Sequence, residues 1–254
     1  MESIHVRNFR WCLDSFYLGQ PPTGFDNRNT ISDCVNTIHS NGKFYYAIKY
    51  DLYWHIPLYA AYQVNSFNGK VCRASTWHVE PDLPSKQQDN TYFQASPKDY
   101  IRSTYDKGHL FPALYNRDSR EKMFSTFTLI NAAPMSIQLN RGVWKSVESN
   151  TLHLLESNCI FPGAKRFVIT GTVPGKNRIK NTIDGINIPE FVWNAIYCDS
   201  SNAEEQFKDQ SWSLGHLARQ NDAHYTEYSI EDLNSFLTNH MRLFYQPVKL
   251  FNIH

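Results

Sequence analysis

Short segments typical of β-strands recur along the chain, with apolar residues either alternating with polar ones or running together. Two such segments, Phe44–Tyr50 and Ile56–Val64, are separated by a short connection, and we predict that they form a hairpin. Two later segments, Arg166–Gly171 and Val192–Cys198, flank a connection rich in glycine, proline and asparagine. Because this connection lacks the pattern of a crossover helix, we expect antiparallel pairing.

Two other segments have the periodicity of amphipathic helices. From Asn140 to about Ser157, apolar residues recur at close to the helical period of about 3.6 residues. Later in the chain, Ser229 can cap a helix, with Asp232 three residues further on. The apolar face of that second helix is supplied by Ile230, Leu233, Phe236 and Leu237.

Polar, turn-rich segments separate these elements. Residues 20–33 and 79–100 are rich in prolines and polar residues, and we predict that both are loops. Strands with a few helices and no regular strand–helix alternation indicate the α+β class, with a mainly antiparallel central sheet flanked by helices. No linker interrupts the chain, so we expect residues 1–254 to form a single domain.

Composition adds only broad limits to this picture. The 254 residues are 41% hydrophobic and 15% aromatic, which is far from the composition of a disordered chain. No apolar run approaches the ~18 residues needed to span a bilayer. The 25 basic and 24 acidic residues give a net charge of +1, so the chain as a whole does not attract a polyanion.

The charges are unevenly distributed along the chain. Residues 157–183 contain five basic and no acidic side chains, whereas residues 203–236 contain seven acidic and two basic ones. Both segments are explained most simply as solvated faces. Within the basic segment, Lys165 and Arg166 are candidates for positioning phosphates, and a solvated rim explains them equally well.

Candidate catalytic chemistry is concentrated between Tyr105 and Glu148. The tetrapeptide Asp-Lys-Gly-His at 106–109 supplies a titratable base, and Asn140 and Glu148 share one face of the predicted helix. Amide and carboxylate oxygens are hard ligands that suit Mg²⁺, which is often held by very few protein groups. Each residue also has a simpler explanation, since Asn140 can act only as a helix cap and Glu148 only as a solvated charge.

Taken together, these residues resemble the DNA/RNA non-specific endonucleases, the ββα-metal nucleases with an Asp-Arg-Gly-His signature. The resemblance is strongest for the animal endonuclease-domain-containing branch and covers roughly residues 10 to 245. It includes Arg73 and the block Trp77–Leu83 upstream, and Ile169–Pro174 and Ile188–Trp193 downstream. Several blocks in the same order are more specific than one four-residue motif.

The resemblance implies an endonuclease that acts on DNA and RNA, depends on Mg²⁺ (or on Mn²⁺ or another divalent ion) and leaves 5′-phosphate ends. It also implies a ββα-metal motif in which His109 is the general base, Asn140 the direct metal ligand and Glu148 its supporting carboxylate. Asn131 matches an asparagine that contacts substrate near the scissile phosphate, and Asp106 matches the acid that supports the histidine loop.

The chain departs from the family pattern at three positions. Lys107 replaces the signature arginine, so a bidentate phosphate contact becomes a point charge. Met135 replaces the usual glutamine, and Arg73 aligns with the family's upstream arginine only approximately. These departures leave an alternative open: a weakened or inactive family member that acts as a nucleic-acid-binding or protein-interaction module.

The five cysteines include no Cys-x-x-Cys pair, so a zinc ribbon or thioredoxin-type motif is excluded. The N-terminal residues have no apolar leader, which leaves a cytosolic protein or a mature secreted one. Animal members of the resembled family are secreted or vesicular, which implies disulfide bonds, and Cys159–Cys198 is then the best single pair. Sequence alone does not fix the connectivity.

Overall fold

The computed structural model describes residues 8–37, 42–67, 69–80, 94–179, 185–241 and 246–253. The β-strands of this part of the chain are β1 (Thr30–Val35), β2 (Tyr46–Asp51), β3 (Ile56–Gln63), β4 (Tyr105–His109), β5 (Ala132–Ser136), β6 (Lys165–Val173), β7 (Phe191–Asp199), β8 (Trp212–Arg219) and β9 (Thr226–Tyr228). Seven of them form one sheet in the order β1-β2-β3-β6-β7-β8-β9, and β4 and β5 form a separate two-stranded sheet.

Both predicted strand pairs are confirmed. β2 pairs with β3, with Ala47 opposite Ala61, and β6 pairs with β7, with Thr170 opposite Asn194. Every neighbouring pair in the seven-stranded sheet is antiparallel. With helices packed beside this sheet, the chain has the predicted α+β class.

The central strands are covered on both faces of the sheet. All of β2 and all but the last residue of β3 are buried, because one apolar cluster packs on each side. Trp144 and Val147 belong to the first cluster, and Leu233 and Leu237 belong to the second. Strands that are buried on both faces are continuously apolar, which is why their sequences predict them readily.

The α-helices of the described residues are α1 (Arg120–Ser125), α2 (Trp144–Asn158) and α3 (Ile230–His240). The predicted cap of α3 is confirmed, because Ser229 Oγ accepts a hydrogen bond of 3.0 Å from the backbone N–H of Asp232. The long helix differs from the prediction at its start, where Leu139–Val143 form a π-helical turn that leads into α2. No helix in this part of the chain is long and apolar enough to cross a membrane.

The two predicted loops are only partly loops. The segment at 20–33 ends inside β1, because Thr30–Asp33 pair with β2. Only the last two residues of β1 are buried, so its sequence carries little of the strand pattern. Within 79–100, residues 81–93 lie outside the described residues, and Pro97–Tyr100 form a 3₁₀ turn.

The small sheet of β4 and β5 carries the Asp-Lys-Gly-His tetrapeptide. Gly108 lies opposite Ala133, and a Cβ on Gly108 would be 2.3 Å from Met135 Sδ. Met135 is therefore packed directly against β4, where it is fully buried. The π turn and α2 follow β5 closely along the chain, and the two strands and the helix form the predicted ββα arrangement.

Two disulfide bonds connect separate elements of the fold. The predicted bond between Cys159 and Cys198 is present, and it links the end of α2 to β7. A second bond joins Cys12 to Cys34 in β1. Cys72, the fifth cysteine, is free and exposed.

Replacing Cys159 and Cys198 together by alanine is expected to lower the free energy of unfolding by about 2–4 kcal/mol, because the bond restricts the unfolded chain. The two residues are 39 positions apart in sequence, so the closed loop is long. Urea unfolding of the double variant and the parent, without reductant, measures the difference. Cys72→Ala is the matched control. Coincident curves for the double variant and the parent would contradict the prediction.

A row of buried polar groups crosses from α2 to β8. Asn194 Nδ2 donates to Thr151 Oγ1 at 3.0 Å, and His216 Nδ1 donates to Asn194 Oδ1 at 2.8 Å. Burial lowers the pKa of His216 to about 4. The carboxylate of Glu227, 3.8 Å from Nε2, is the acidic group that faces this ring. His216 is therefore neutral at physiological pH.

Acid is expected to destabilise the fold through His216. An unfolded histidine has a pKa of about 6.5, so below that pH the unfolded chain binds a proton that the folded chain does not. Between pH 7 and pH 5 this difference removes about 2 kcal/mol from the free energy of unfolding. Urea unfolding across this range should show a shallower pH dependence for His216→Gln than for the parent. His224→Gln, at an exposed position, should keep the parental slope, and an unchanged slope in His216→Gln would refute the assignment.

Candidate active site

Six of the seven residues predicted for the site lie around one open cleft of about 690 Å³. The cleft is formed by the ββα arrangement and the segment that contains Trp77. The six residues are Arg73, Asp106, Lys107, His109, Asn140 and Glu148. The seventh, Asn131, does not line it. The fold thus brings together side chains that are up to 75 positions apart in sequence (73 to 148).

His109 is the last residue of β4, and its side chain is held between two aromatic rings. The centroid of its ring lies 4.5 Å from that of Trp77 and 4.7 Å from that of Phe127. Its Nε2 is buried and accepts no hydrogen bond from the described residues. Burial, together with the charge of Arg73, lowers the pKa of His109 to about 3. The imidazole is therefore neutral at physiological pH, which is the form that can accept a proton.

Asn140 is oriented by Asp106. The Asn140 Nδ2 donates to Asp106 Oδ2 at 3.0 Å, and Arg141 donates to both oxygens of the same carboxylate at 2.7 and 2.9 Å. These bonds, that of Arg141 above all, lower the pKa of Asp106, which remains a carboxylate. The amide of Asn140 is thereby fixed by its nitrogen, and its Oδ1 accepts no hydrogen bond from the described part of the chain.

The π turn that contains Asn140 is anchored to the large sheet. The backbone N–H of Leu139 donates to Ser136 Oγ at 3.2 Å, and Ser136 Oγ in turn donates to the carbonyl of Gln220 at 2.5 Å. The Gln220 side chain accepts from the Ser136 N–H at 2.8 Å and donates to the Pro134 carbonyl at 2.7 Å. π turns inside helices are frequent at functional sites. Here the turn is held in place from β5 and from the residue after β8.

Glu148 lies on α2, half-buried in the same cleft. Loss of water raises the pKa of its carboxyl to about 8, and the nearby charges of Arg73 and Lys145 oppose that rise. The helix turn is fixed by Tyr115, whose hydroxyl donates to the Glu148 carbonyl at 2.8 Å. The Glu148 carboxyl therefore carries a proton at neutral pH, and a bound cation would displace that proton.

The cleft is bordered by more cations than the sequence predicted. Arg73 and Lys107 were expected, and the guanidinium carbon of Arg73 lies 5.5 Å from the centre of the Phe127 ring. Arg141 and Lys145 also line the cleft. In sequence, both lie between Asn140 and Glu148. Arg141 and Lys145 are four residues apart, and this helical spacing predicts that they lie on the same side of the helix. Four cations surround two acidic groups, Asp106 and Glu148, so the local field attracts anions even though the chain is nearly neutral.

Lys165 and Arg166 of the basic segment do not supply this charge. Arg166 donates from Nε to the Cys159 carbonyl at 2.6 Å, and its guanidinium lies 5.1 Å from the centre of the Phe67 ring. Lys165 is exposed at the start of β6. Neither residue lines the cleft. The phosphate-positioning role considered for these two residues therefore does not fit their location.

The predicted substrate contact of Asn131 does not fit its position either. The side chain is 0% exposed, accepts from the Phe111 N–H at 2.8 Å and donates to the carbonyls of Phe111 and Thr126 at 3.1 and 2.8 Å. A fully buried amide that already makes three hydrogen bonds inside the protein is not available to a ligand. Asn131 instead fixes the segment that follows His109, because its backbone carbonyl also accepts a hydrogen bond from the Leu110 N–H at 3.0 Å.

The donor set of the cleft fits a hydrated Mg²⁺ ion. Asn140 Oδ1 is a neutral oxygen whose direction is fixed through Asp106, and Glu148 supplies a carboxylate on the same helix. Mg²⁺ binds through one or two such groups and keeps several waters. Among the described residues, no group of three or more His, Cys, Asp and Glu side chains is arranged to hold an ion.

Comparison with known proteins agrees with this fold. The sequence profile described as DNA/RNA non-specific endonuclease matches residues 29–244, and the chain belongs to this family. It is 27% identical to the human Endonuclease domain-containing 1 protein, over 93% of this chain and 47% of that protein. It is 26% identical to human mitochondrial Endonuclease G, over 51% of this chain and 45% of that protein. The chain thus spans about half the length of the curated relatives it matches.

A solved structure shares the fold. The crystal structure of the EndoG/EndoGI complex aligns with a TM-score of 0.54 over 75% of this chain and 80% of that chain, at 19% sequence identity. The family resemblance, the antiparallel α+β fold and the ββα arrangement are therefore confirmed. The roles of the individual residues in the cleft remain predictions.

Proposed function

We propose that this protein is a Mg²⁺-dependent endonuclease that hydrolyses phosphodiester bonds of DNA and RNA and leaves 5′-phosphate ends. The observation that carries the proposal is the neutral imidazole of His109 in the same cation-lined cleft as an oriented Asn140. A base, an oxygen ligand and positive charge are the three components that hydrolysis of a phosphodiester requires.

In this mechanism His109 removes a proton from the attacking water as the new bond to phosphorus forms. The rings of Trp77 and Phe127 fix the plane of the imidazole, and burial keeps it neutral before the reaction. The bond between phosphorus and the 3′ oxygen breaks, and the phosphate stays on the 5′ oxygen of the next nucleotide. The proton acquired by His109 returns to solvent after the product departs.

Asn140 would hold Mg²⁺ directly, and Glu148 would hold it through its water shell. When bound, the ion would supply charge stabilisation to the phosphate and would acidify nearby water as a proton source for the 3′ oxygen. Asp106 keeps the Asn140 amide turned so that its oxygen is free.

The cations of the cleft would hold the flanking phosphates. Contacts to phosphates position a strand without reading its sequence, so we expect low sequence specificity and activity on both DNA and RNA. Lys107, whose Nζ lies 5.0 Å from the centre of the Tyr100 ring, contributes a point charge where the family signature has an arginine.

Incubation of the purified protein with plasmid DNA and with RNA, in Mg²⁺ or in EDTA, tests the proposal. We expect both substrates to be degraded in Mg²⁺ and both to remain intact in EDTA, because the cleft has only one direct protein ligand to retain the ion. End-labelling after phosphatase treatment checks for 5′-phosphate. Equal degradation in EDTA, or none in Mg²⁺, would overturn the proposal.

The second candidate function is a nucleic-acid-binding or protein-interaction module without catalysis. Lys107 in place of arginine is the feature that favours it. Met135 does not, because its side chain is buried behind β4 and does not line the cleft. Retention of labelled DNA by the protein in Mg²⁺ without any cleavage would support this second function.

We further propose that the protein functions in a secreted or vesicular compartment. Its two disulfide bonds fit an oxidising environment, and disulfides of this kind are rare in the cytosol. Fractionation of producing cells, with a non-reducing mass measurement of the recovered protein, tests this location. Recovery from the cytosol with all thiols reduced would exclude it.

A further inference from the structure

A second cavity of about 480 Å³, here called the side cavity, adjoins the catalytic cleft. Tyr105, the first residue of β4, lines both and is partly buried, so the two spaces meet at this residue. The volume falls within the range of small-molecule sites in proteins. Its other walls include Gly175, Asn177, Pro189, Gln220 and Asn221.

The charges of the side cavity are balanced, unlike those of the cleft. Arg219 Nη2 is paired with Glu190 Oε1 at 2.9 Å, and its guanidinium lies 5.7 Å from the centre of the Phe191 ring. The remaining charged groups in the wall, Lys176 and Asp222, have opposite signs. A phosphate would therefore be attracted to the cleft rather than to the side cavity, which is better suited to a neutral, polar and flat group.

The walls of the side cavity are fixed by internal hydrogen bonds. The buried Asn187 accepts from the Gly175 N–H at 2.9 Å and donates to the Gly175 carbonyl at 2.8 Å. Gln220 is bonded to Pro134 and to Ser136 through its side chain. Since these groups are already ordered, a ligand does not have to organise them on binding.

Two exposed amides in the wall remain open to a ligand. The side chains of Asn177 and Asn221 make no hydrogen bond with the described residues. An amide offers a donor and an acceptor side by side, which is the pattern displayed by the edge of a nucleobase. Tyr105 offers an aromatic ring on which a base can stack.

We propose that the side cavity is a nucleobase subsite. An unpaired base next to the scissile phosphate stacks on Tyr105 and is hydrogen-bonded by Asn177 and Asn221, while its phosphates remain in the cleft. This inference rests on the proposed function and refines it. The enzyme then has a base preference at one position beside the cut, although its phosphate contacts read no sequence, and it favours strands in which that base is unpaired.

Binding to an inactive variant tests the subsite without any cleavage. Single-stranded oligonucleotides with one abasic residue at successive positions are titrated into His109→Ala in Mg²⁺. Base stacking on an aromatic residue is worth about 1–3 kcal/mol, so the abasic residue should weaken binding at least ~5-fold at one position only. That loss should become smaller when Asn177→Ala and Asn221→Ala remove the hydrogen bonds, and it should disappear when Tyr105→Ala also removes the stacking ring. Equal affinity for every abasic position would overturn the subsite.

Cleavage patterns provide an independent measurement. A randomised single-stranded substrate should be cut by the parent with a base bias at one flanking position, and by Asn177→Ala/Asn221→Ala without that bias. Asn202→Ala/Gln206→Ala, in the loop at the opposite end of β7 and β8, is the matched amide control. A parent that cuts without bias refutes the subsite and leaves the proposed function intact. A parent that does not cut refutes the proposed function, and the abasic titration still decides the subsite.

Discussion

Replacing His109 by alanine is expected to lower the rate of DNA and RNA cleavage at least ~100-fold, which is the usual contribution of a general base. His109 is the histidine that lines the cleft, and burial keeps its imidazole neutral at physiological pH. Asp106 cannot take its place, because both of its oxygens are committed to Asn140 and Arg141. Initial rates on a fluorescent oligonucleotide, in saturating Mg²⁺, measure the loss.

Loss of packing must be separated from loss of the base. The imidazole fills the space between Trp77 and Phe127, so His109→Gln, which preserves most of the volume, is measured beside His109→Ala. His153→Ala, at an exposed position on α2, is the control for histidine removal. Near-parental activity in both His109 variants would show that another group is the base. Thermal unfolding of each variant reports whether the fold is retained.

The strands that the sequence predicts are those that the sheet buries on both sides. β2, β3, β6 and β7 are mostly apolar because each face of the sheet has its own core. β1 and β4 are not predictable in this way, since only the last two residues of each are buried. Their pairing depends on strands that are distant in sequence, and a local hydrophobic pattern does not indicate those partners.

The candidate site is predictable to the extent that its chemistry lies in motifs. His109, Asn140 and Glu148 occur in blocks that resemble a family, and the fold brings all three to one cleft. The burial of Asn131 leaves no trace in the sequence, because an asparagine in a loop looks the same whether it faces a ligand or three backbone groups. The π turn is equally hidden, since its residues also fit the α-helical period.

Removing the amide of Asn140 is expected to lower cleavage at least ~100-fold, because the proposed mechanism gives the ion only one direct protein ligand and metal-ion catalysis is worth several kcal/mol. Asn140→Ala should remain impaired at every Mg²⁺ concentration. Asn150→Ala, which changes an exposed asparagine on the same helix, should behave like the parent. The measurement is the initial rate as a function of Mg²⁺ concentration.

Asp106→Asn distinguishes loss of the metal ligand from loss of the group that orients it. It keeps the size of the side chain but removes the charge that binds Arg141 at 2.7 and 2.9 Å and holds the Asn140 amide at 3.0 Å. Loss of such an orienting partner typically weakens metal affinity about 10–100-fold. We therefore expect Asp106→Asn to need more Mg²⁺ for half-maximal rate and to approach the parental rate when Mg²⁺ is saturating, whereas Asn140→Ala does not recover. If both variants recover to the parental rate, Asn140 is not the direct ligand, and if neither recovers, Asp106 has a role beyond orienting it.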